Sequence, residues 1–347
     1  MIPYLILSLL AMTAIAHASL AIGHPKLRVS LYITLAPLIW ASILTAGLRH
    51  QTGGDWQVYG QWFNDFDFDE IFNFAVEPAW IAYTLIIRKL GLDFDLYLLA
   101  TAAISNLLIW KGLHQILRHR HVAMICFGFY CLIVFYSAQM FYIRSGLATG
   151  LFLCAVAASR ENKLHAGFIL FVAVLVHSAT ALAALIYLCI YLGTRNRFLL
   201  LLCILGLGAL FSFTSAYFLP QVFLEGEFAG ARSLNFKAVL GLLLFATIVF
   251  KLDDFKKNYS AEAAAVSIAA LTVPYLFDSF EVGGRARMFF SPMDGLPIFF
   301  MVTVFVGRRM AVIPLLIASS MFVFIYWSNP YVHELFIPYQ TWIARMF

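Results

Sequence analysis

The sequence predicts an all-α fold, a polytopic integral membrane helical bundle of about 12 transmembrane helices with amphipathic outer-face helices in the loop after the second span. Of the 347 residues, 63% are hydrophobic and only 12% are charged. Soluble domains carry roughly 45–50% apolar and about 25% charged residues. Apolar runs also recur along nearly the whole chain without an internal repeat or a linker. We therefore expect a single membrane-embedded domain over residues 1–347.

The spans are predicted from apolar runs, since a bilayer core requires about 20 apolar residues per helix. These runs lie at 2–23, 30–48, 94–113, 122–138, 142–159, 164–177, 178–193, 197–214, 236–252, 262–277, 288–306 and 311–327. The orientation follows from Lys and Arg in short loops, which are retained on the cytoplasmic side. The basic clusters lie at 24–28, 111–120, 160–163, 195–197, 251–257 and 307–309.

Two places in this topology are decided by parity. The apolar run 164–193 has a basic cluster at both ends, so it must turn back on itself, and His177-Ser178 is its polar break. A crossing by residues 71–90 would reverse the following basic loop, so we predict an amphipathic or re-entrant helix on the outer face. Arg88 and Lys89 run against the charge trend in that placement. The result is about 12 crossings, with both termini outside.

The outer face then gathers most of the residues that can do chemistry. The stretch Arg49–Tyr59 opens the long acid-rich loop that follows the second span. Arg49 is either an interfacial anchor or part of an anion site. The Gly53-Gly54 pair gives the backbone freedom to place the carboxylate of Asp55, a candidate general base.

Arg144 and His177 are two further candidates. An Arg slightly inside a span costs about 2.5–3.5 kcal/mol or more and indicates function by default. The alternative for Arg144 is a structural salt bridge to an outer-face acid such as Asp55 or Glu77. His177 is either a hydrogen-bonded structural residue or a group that reaches a cavity as a base or phosphate ligand.

Arg285 and Arg287 follow a Gly pair at the start of the eleventh span. Guanidinium groups bind phosphate oxygens bidentately, although interfacial anchoring is the alternative here. Together with Arg49 and Arg144 they place four cations on one face, and the simplest common target of these is a diphosphate.

Several other functions are not indicated. The acidic run at residues 65–70 fails the calcium-loop pattern because Glu70 stands where Gly is needed and Val76 where the bidentate Glu is needed. We expect neither a metal nor a cofactor. The sequence has no phosphate-binding loop and no dinucleotide fingerprint. The net charge of +5 reflects loop Lys and Arg, so we expect no nucleic-acid partner.

The chain resembles the EpsG family of Wzy-type polysaccharide polymerases. The resemblance rests on short motifs in order: Arg49 through Gly54-Asp55-Trp56 to Tyr59, Glu77-Pro78-Ala79-Trp80, Arg144-Ser145-Gly146-Leu147-Ala148, His177-Ser178, Arg285-Ala286-Arg287-Met288 and Pro338-Tyr339. The chain carries an extra Gly where a polar residue is expected before Asp55. The resemblance implies a multi-pass glycosyltransferase of the bacterial inner membrane whose active face is periplasmic. It would join undecaprenyl-diphosphate-linked oligosaccharide repeat units into O-antigen, capsule or exopolysaccharide.

In that hypothesis Arg49, Arg144, Arg285 and Arg287 bind the diphosphate, and Asp55 or His177 is the catalytic base that deprotonates the acceptor sugar. The predicted sugar-binding residues are Trp56, Tyr59, Glu77 and Tyr339. The expected partners are lipid-linked donor and acceptor, membrane lipids and, as a further candidate, a chain-length regulator. The alternatives are a transporter or flippase of lipid-linked sugars, and an O-antigen ligase or membrane acyltransferase.

Overall fold

The computed structural model describes residues 2–24, 30–73, 76–218, 236–276, 281–328 and 340–341, most of which are helical. The α-helices are α1 (Ile2–Gly23), α2 (Tyr32–Gly47), α3 (Trp56–Asp65), α4 (Glu70–Asn73), α5 (Pro78–Lys89), α6 (Phe94–Leu117), α7 (Arg120–Ile133), α8 (Ile143–Ala158), α9 (Lys163–Val176), α10 (Ala179–Gly193), α11 (Arg197–Phe218), α12 (Phe236–Phe250), α13 (Leu252–Asn258), α14 (Ala261–Leu276), α15 (Glu281–Phe290), α16 (Gly295–Phe305) and α17 (Val312–Trp327). A π-helical segment, Tyr136–Phe141, lies between α7 and α8, and a 3₁₀ turn, Ser291–Met293, joins α15 to α16.

The all-α membrane bundle is confirmed, because every predicted apolar run coincides with helical structure. Within the described residues, three helical stretches are both long and apolar enough to cross a membrane: Ile2–Gly23, Phe94–Leu117 and Ala286–Phe305. The other apolar helices are shorter, at 10 to 17 residues. The number of crossings stays a prediction.

Side chains and backbone conformation set several helix ends. Asp93 precedes α6 and its carboxylate accepts the N–H of Leu96 at 2.9 Å. Asn162 precedes α9 and its side-chain oxygen accepts the N–H of His165 at 3.0 Å. Both satisfy a donor that a helix N-terminus otherwise leaves open. Arg118 ends α6 in the left-handed conformation, at φ 57°.

The basic loops meet at one end of the bundle. Arg160, after α8, forms an ion pair with Glu262 at the start of α14, at 2.6 Å. Lys256 donates to the carbonyl of Thr194 at 2.9 Å, and nearby Arg197 approaches an acid of α13 at 3.4 Å. The carbonyl of Arg308 lies beside the last residue of α1. These contacts bring together four loops that the charge pattern assigns to the same side.

Helix α5 stays at the opposite end, tied to α3. Its 12 residues extend about 18 Å, shorter than the roughly 30 Å of a hydrocarbon core. The guanidinium of Arg88 donates to the carbonyls of Phe63, Asn64 and Phe66 at 3.0, 2.8 and 2.7 Å. These carbonyls close the C-terminal end of α3, where a cation is favoured by the helix dipole. Arg88 thus has specific acceptors within the loop that follows α2, which explains a cation at a position where the predicted topology disfavours one.

Replacing Arg88 by Ala is expected to loosen α3 from α5. The change removes three charge-assisted bonds from a partly exposed side chain, so we expect a local loss of about 1–3 kcal/mol. Hydrogen exchange of the α3 amides in detergent measures it. Lys89→Ala, at the exposed neighbouring position, is the control and should leave the exchange of α3 unchanged. Equal exchange in both variants would contradict this anchoring role.

A short strand pairing is an addition to the predicted all-helical fold. Arg49–His50 pairs antiparallel with Gln340–Thr341, with Arg49 opposite Thr341. This pairing joins the chain just after α2 to a segment almost 300 residues later. Two-residue strands carry too little sequence pattern to be predicted.

Candidate functional site

Glu77 is the residue on which the site is centred. It immediately precedes α5, whose first residue is Pro78, a common choice at that helix position. Its Oε1 accepts hydrogen bonds from His177 Nδ1, from the Ser178 main-chain N–H and from the Ser178 hydroxyl, each at 3.0 Å. Its Oε2 forms an ion pair with Arg144 Nη1. One carboxylate therefore joins three segments that are distant in sequence.

The Glu77 carboxylate lies where three helices begin. Glu77 itself precedes α5, Arg144 is in the first turn of α8, and Ser178 precedes α10. A helix N-terminus favours negative charge. Burial by itself raises the pKa of Glu77, but the His177 hydrogen bond, the Arg144 charge and the Ser178 N–H outweigh it and hold that pKa below its ordinary value. The carboxylate is therefore ionised at neutral pH.

Arg144 is held between this carboxylate and an aromatic ring. Its guanidinium carbon lies 4.6 Å from the centroid of the Trp62 ring, a cation–π contact. A cation in the first turn of a helix opposes the helix dipole, and Glu77 offsets that cost. The salt bridge to Glu77 that the sequence left open as an alternative is thus formed. Within the described part of the chain, the buried Arg144 Nε has no acceptor.

The predicted turn at His177-Ser178 is confirmed. Helix α9 ends at Val176 and α10 begins at Ala179. His177 is only 5% exposed. The hydroxyl of Thr180 donates to the carbonyl of His177 at 2.7 Å and holds the turn closed. The imidazole also packs near Phe289 of α15, with ring centroids 6.2 Å apart.

Arg49 is buried rather than anchored at the membrane interface, since only 1% of it is exposed. Its Nη1 donates to the carbonyls of Gln139 and Ala46. The first contact joins the end of α2 to the π-helical segment, so Arg49 stabilises the backbone behind the site. The predicted diphosphate role of Arg49 stays a prediction.

The Gly53-Gly54 pair packs against the same π-helical segment. Gly53 has φ +95°, and a Cβ there would overlap the Met140 carbonyl. A Cβ on Gly54 would overlap the ring of Phe141. Gly146 has a similar role from the other side, because its Cβ would meet the carbonyl of Ala138. The sequence predicts that this pair gives the backbone freedom to place Asp55. In the structure the pair allows close packing against the π-helical segment.

Asp55 immediately precedes α3 and is half-buried near Tyr59. Tyr59 is 3% exposed. Burial raises the pKa of its hydroxyl, which the nearby Arg144 charge opposes. Its ring packs against Trp62 and Trp80 at 5.4 and 5.9 Å. The Tyr59 ring is therefore enclosed by its described neighbours, and its sugar-stacking role stays a prediction.

The other predicted sugar-binding residues are Trp56, Glu77 and Tyr339. Trp56 is partly exposed, and its ring packs edge-on against His50 and Phe94 at 4.9 and 5.3 Å. Both carboxylate oxygens of Glu77 contact protein groups, so in this structure Glu77 holds Arg144 and His177 in place. Tyr339 lies outside the described residues.

The predicted Arg pair lies on α15, which packs against α8 and α10. Arg287 is exposed, and its Nη2 lies 3.9 Å from Asp294. The side chain of Arg285 lies outside the described residues. The helix therefore borders the turn that carries His177, through Phe289, and packs against α8 at Phe152.

Trp62 and Gln139 each support a predicted residue of the site. Trp62 lies under Arg144, and Gln139 provides the carbonyl for Arg49. The sequence signal for Trp62 is its spacing: it lies three residues after Tyr59 in α3, so the two side chains are neighbours on the helix surface. Within the described residues, no group of three His, Cys, Asp or Glu side chains is placed to hold a metal ion.

Comparison with known proteins agrees with the motifs. Neither a search of curated proteins nor a search of solved structures found a match. The model of the EpsG family matches residues 31–341, which cover most of the chain. The resemblance drawn from the motifs is thereby confirmed, and the chain belongs to the EpsG family, a family of Wzy-type polymerase-like membrane proteins of polysaccharide synthesis.

Proposed function

We propose that this protein is a membrane glycosyltransferase that joins oligosaccharide repeat units carried on undecaprenyl diphosphate, on the periplasmic face of the bacterial inner membrane. Membership of the EpsG family supports a polysaccharide polymerase-like protein. The observation that carries the proposal is the largely buried network of Arg144, Glu77 and His177, in which a guanidinium and an imidazole share one carboxylate.

The reaction breaks the bond between the anomeric carbon of the donor glycan and the diphosphate oxygen. The lipid diphosphate leaves with the bonding electrons, so its negative charge increases in the transition state. A guanidinium placed beside it stabilises the transition state more than the ground state. Arg144 uses one nitrogen for Glu77, and a guanidinium has five N–H donors. It therefore retains donors for a phosphate oxygen, and Arg285 and Arg287 on the adjacent helix are further candidates.

The new glycosidic bond forms when an acceptor sugar hydroxyl attacks the anomeric carbon and loses its proton to a base. General base catalysis of this kind contributes about 10²–10⁴-fold. Asp55 and His177 are the two candidate bases. Cleavage of the bond between the anomeric carbon and the diphosphate provides the free energy for the reaction, so the step requires no nucleotide.

The test uses purified protein in lipid vesicles with the lipid-linked oligosaccharides that accumulate in a host strain lacking this gene. A ladder of lipid-linked polymers with repeat-unit spacing is expected. Movement of the oligosaccharide across the vesicle without a new linkage would favour a transporter instead. Transfer of the unit to lipid A core, when that acceptor is added, would favour a ligase, and transfer of an acyl group would favour an acyltransferase.

A further inference from the structure

We propose that Glu77 is a positioning residue that holds His177 with its Nε2 as the acceptor of the sugar proton, and that the same carboxylate anchors Arg144 beside the leaving diphosphate. This inference rests on the proposed function. It assigns the base to His177 rather than Asp55. It also explains why Glu77 contacts both His177 and Arg144.

The assignment of the imidazole tautomer follows from the chemistry of the acceptor. An ionised carboxylate only accepts hydrogen bonds. Glu77 is ionised, because the bonds from His177 and Ser178 and the charge of Arg144 outweigh its burial. The 3.0 Å contact to Nδ1 must therefore be Nδ1–H donating to Oε1. In the neutral ring the lone pair is then on Nε2, which is the atom that can take a proton.

The position of the carboxylate is itself fixed from several sides. Oε1 accepts both the main-chain N–H and the hydroxyl of Ser178, the residue that follows His177. Because the Ser178 N–H belongs to the start of α10, this bond ties the carboxylate to the turn that carries the imidazole. Oε2 is held by Arg144, which in turn rests on Trp62. The imidazole and the guanidinium therefore cannot move independently of each other.

A Gln amide in place of Glu77 cannot accept hydrogen bonds from both His177 and Arg144. The carboxylate has acceptors on both oxygens, whereas the Gln side chain has an acceptor on one side and a donor on the other. With its oxygen towards Arg144, the amide presents N–H groups to Nδ1–H and the Ser178 N–H. With its oxygen towards His177, it presents N–H groups to Arg144. In either orientation Glu77→Gln releases one of the two catalytic groups.

The first measurement is the tautomer of His177 in the full-length protein, by nitrogen NMR of histidine-labelled protein in lipid. The chain has nine His, so the His177 signals are identified by their loss in His177→Gln. We expect protonated Nδ1 and unprotonated Nε2 in the neutral ring. The opposite tautomer would overturn the assignment. This measurement needs no substrate, so its result is independent of whether the protein is a polymerase.

The second measurement is the elongation rate of Glu77→Gln with the accumulated lipid-linked oligosaccharides described above. Loss of an orienting carboxylate lowers kcat by between about tenfold and about 10⁴-fold in comparable sites. We expect a loss in that range. Glu70→Gln changes the same side chain in α4 and is the control, expected at the wild-type rate. Ser178→Ala retains the main-chain N–H and should fall much less than Glu77→Gln.

A wild-type rate in Glu77→Gln would overturn the inference while leaving the polymerase proposal intact. Absence of polymer from the wild-type protein would instead overturn the polymerase proposal. If Glu77→Gln does not insert, the tautomer of the wild-type protein decides the question alone.

Discussion

Arg144→Ala is expected to reduce chain elongation by about 100-fold or more, the loss that follows removal of one preorganised donor from a developing anion. Arg144 lies beside the candidate base His177, since both contact Glu77. The measurement is polymer length on gels from a deletion strain that expresses the variant, together with the rate in vesicles. Arg309→Ala, at an exposed position in the basic loop after α16, is the control. Wild-type polymer from Arg144→Ala would contradict the diphosphate role of this residue.

A purely structural role for Arg144 must be separated from a catalytic one. Loss of Arg144 leaves Glu77 as an uncompensated, largely buried carboxylate, and breaking a buried pair in this way costs about 3–5 kcal/mol. With side chains about a sixth exposed, at 17% and 16%, we expect a smaller cost. The double variant Arg144→Ala/Glu77→Gln removes the orphan charge and should be more stable than Arg144→Ala alone.

The two explanations then differ in activity. If Arg144 acts only by pairing with Glu77, the double variant should elongate at the same rate as Glu77→Gln alone. If Arg144 stabilises the leaving diphosphate, the double variant should elongate more slowly than Glu77→Gln alone, even though its stability returns. Arg144→Lys adds a further distinction. Lysine keeps the charge but has neither the planar fork nor the stacking surface that lies over Trp62, so we expect at least about a tenfold loss.

The membrane fold was predictable because its signals are local and repeated. Apolar runs mark the helices, and Lys and Arg mark the loops. The reversal at His177-Ser178 followed from the charge clusters on both sides of one run, and the structure has the turn there. The placement of α5 was harder, because Arg88 carries the wrong charge for it. Its acceptors are main-chain carbonyls of α3, and no sequence pattern identifies such acceptors.

The site was predicted as a set of residues, but not as a set of contacts. Arg144 and Glu77 are 67 residues apart, and a single sequence does not show which acid a buried Arg meets. Asp55 and Glu77 therefore remained equal alternatives. The role of Glu77 depends on three helix starts meeting at one place, which is a tertiary property. A sugar-binding acid and an orienting acid look alike in sequence because both are a Glu beside aromatic residues.

The π-helical segment is the element that sequence analysis missed most completely. Apart from Ser137 and Gln139 its residues are apolar or aromatic, as in the helices on both sides, so the change from α to π winding has no periodic signal. Such segments often lie at functional sites. Here Tyr136–Phe141 receives the guanidinium of Arg49 and the close approach of Gly53 and Gly146. It ends three residues before Arg144.

Gly53→Ala is accordingly expected to destabilise the protein by about 2–5 kcal/mol. Two costs combine: a non-glycine residue at φ +95° is strained by about 1–2 kcal/mol, and the new methyl group overlaps the Met140 carbonyl, an overpacking cost of about 1–3 kcal/mol. The carbonyl belongs to the π-helical backbone, so it cannot rotate away as a side chain can. The unfolding temperature in detergent, followed by tryptophan fluorescence, measures the change.

Gly91→Ala is the matched control, because Gly91 has φ +76° but nothing within 4 Å of the position of an added Cβ. It carries the backbone strain without the overlap, so we expect only about 1–2 kcal/mol. An equal loss in the two variants would show that the π-helical segment yields freely. If it does not yield, Gly53→Ala should also slow elongation, since displacement of Met140 moves the backbone that leads into Arg144. Gly91→Ala, at the far end of α5, should elongate at the wild-type rate.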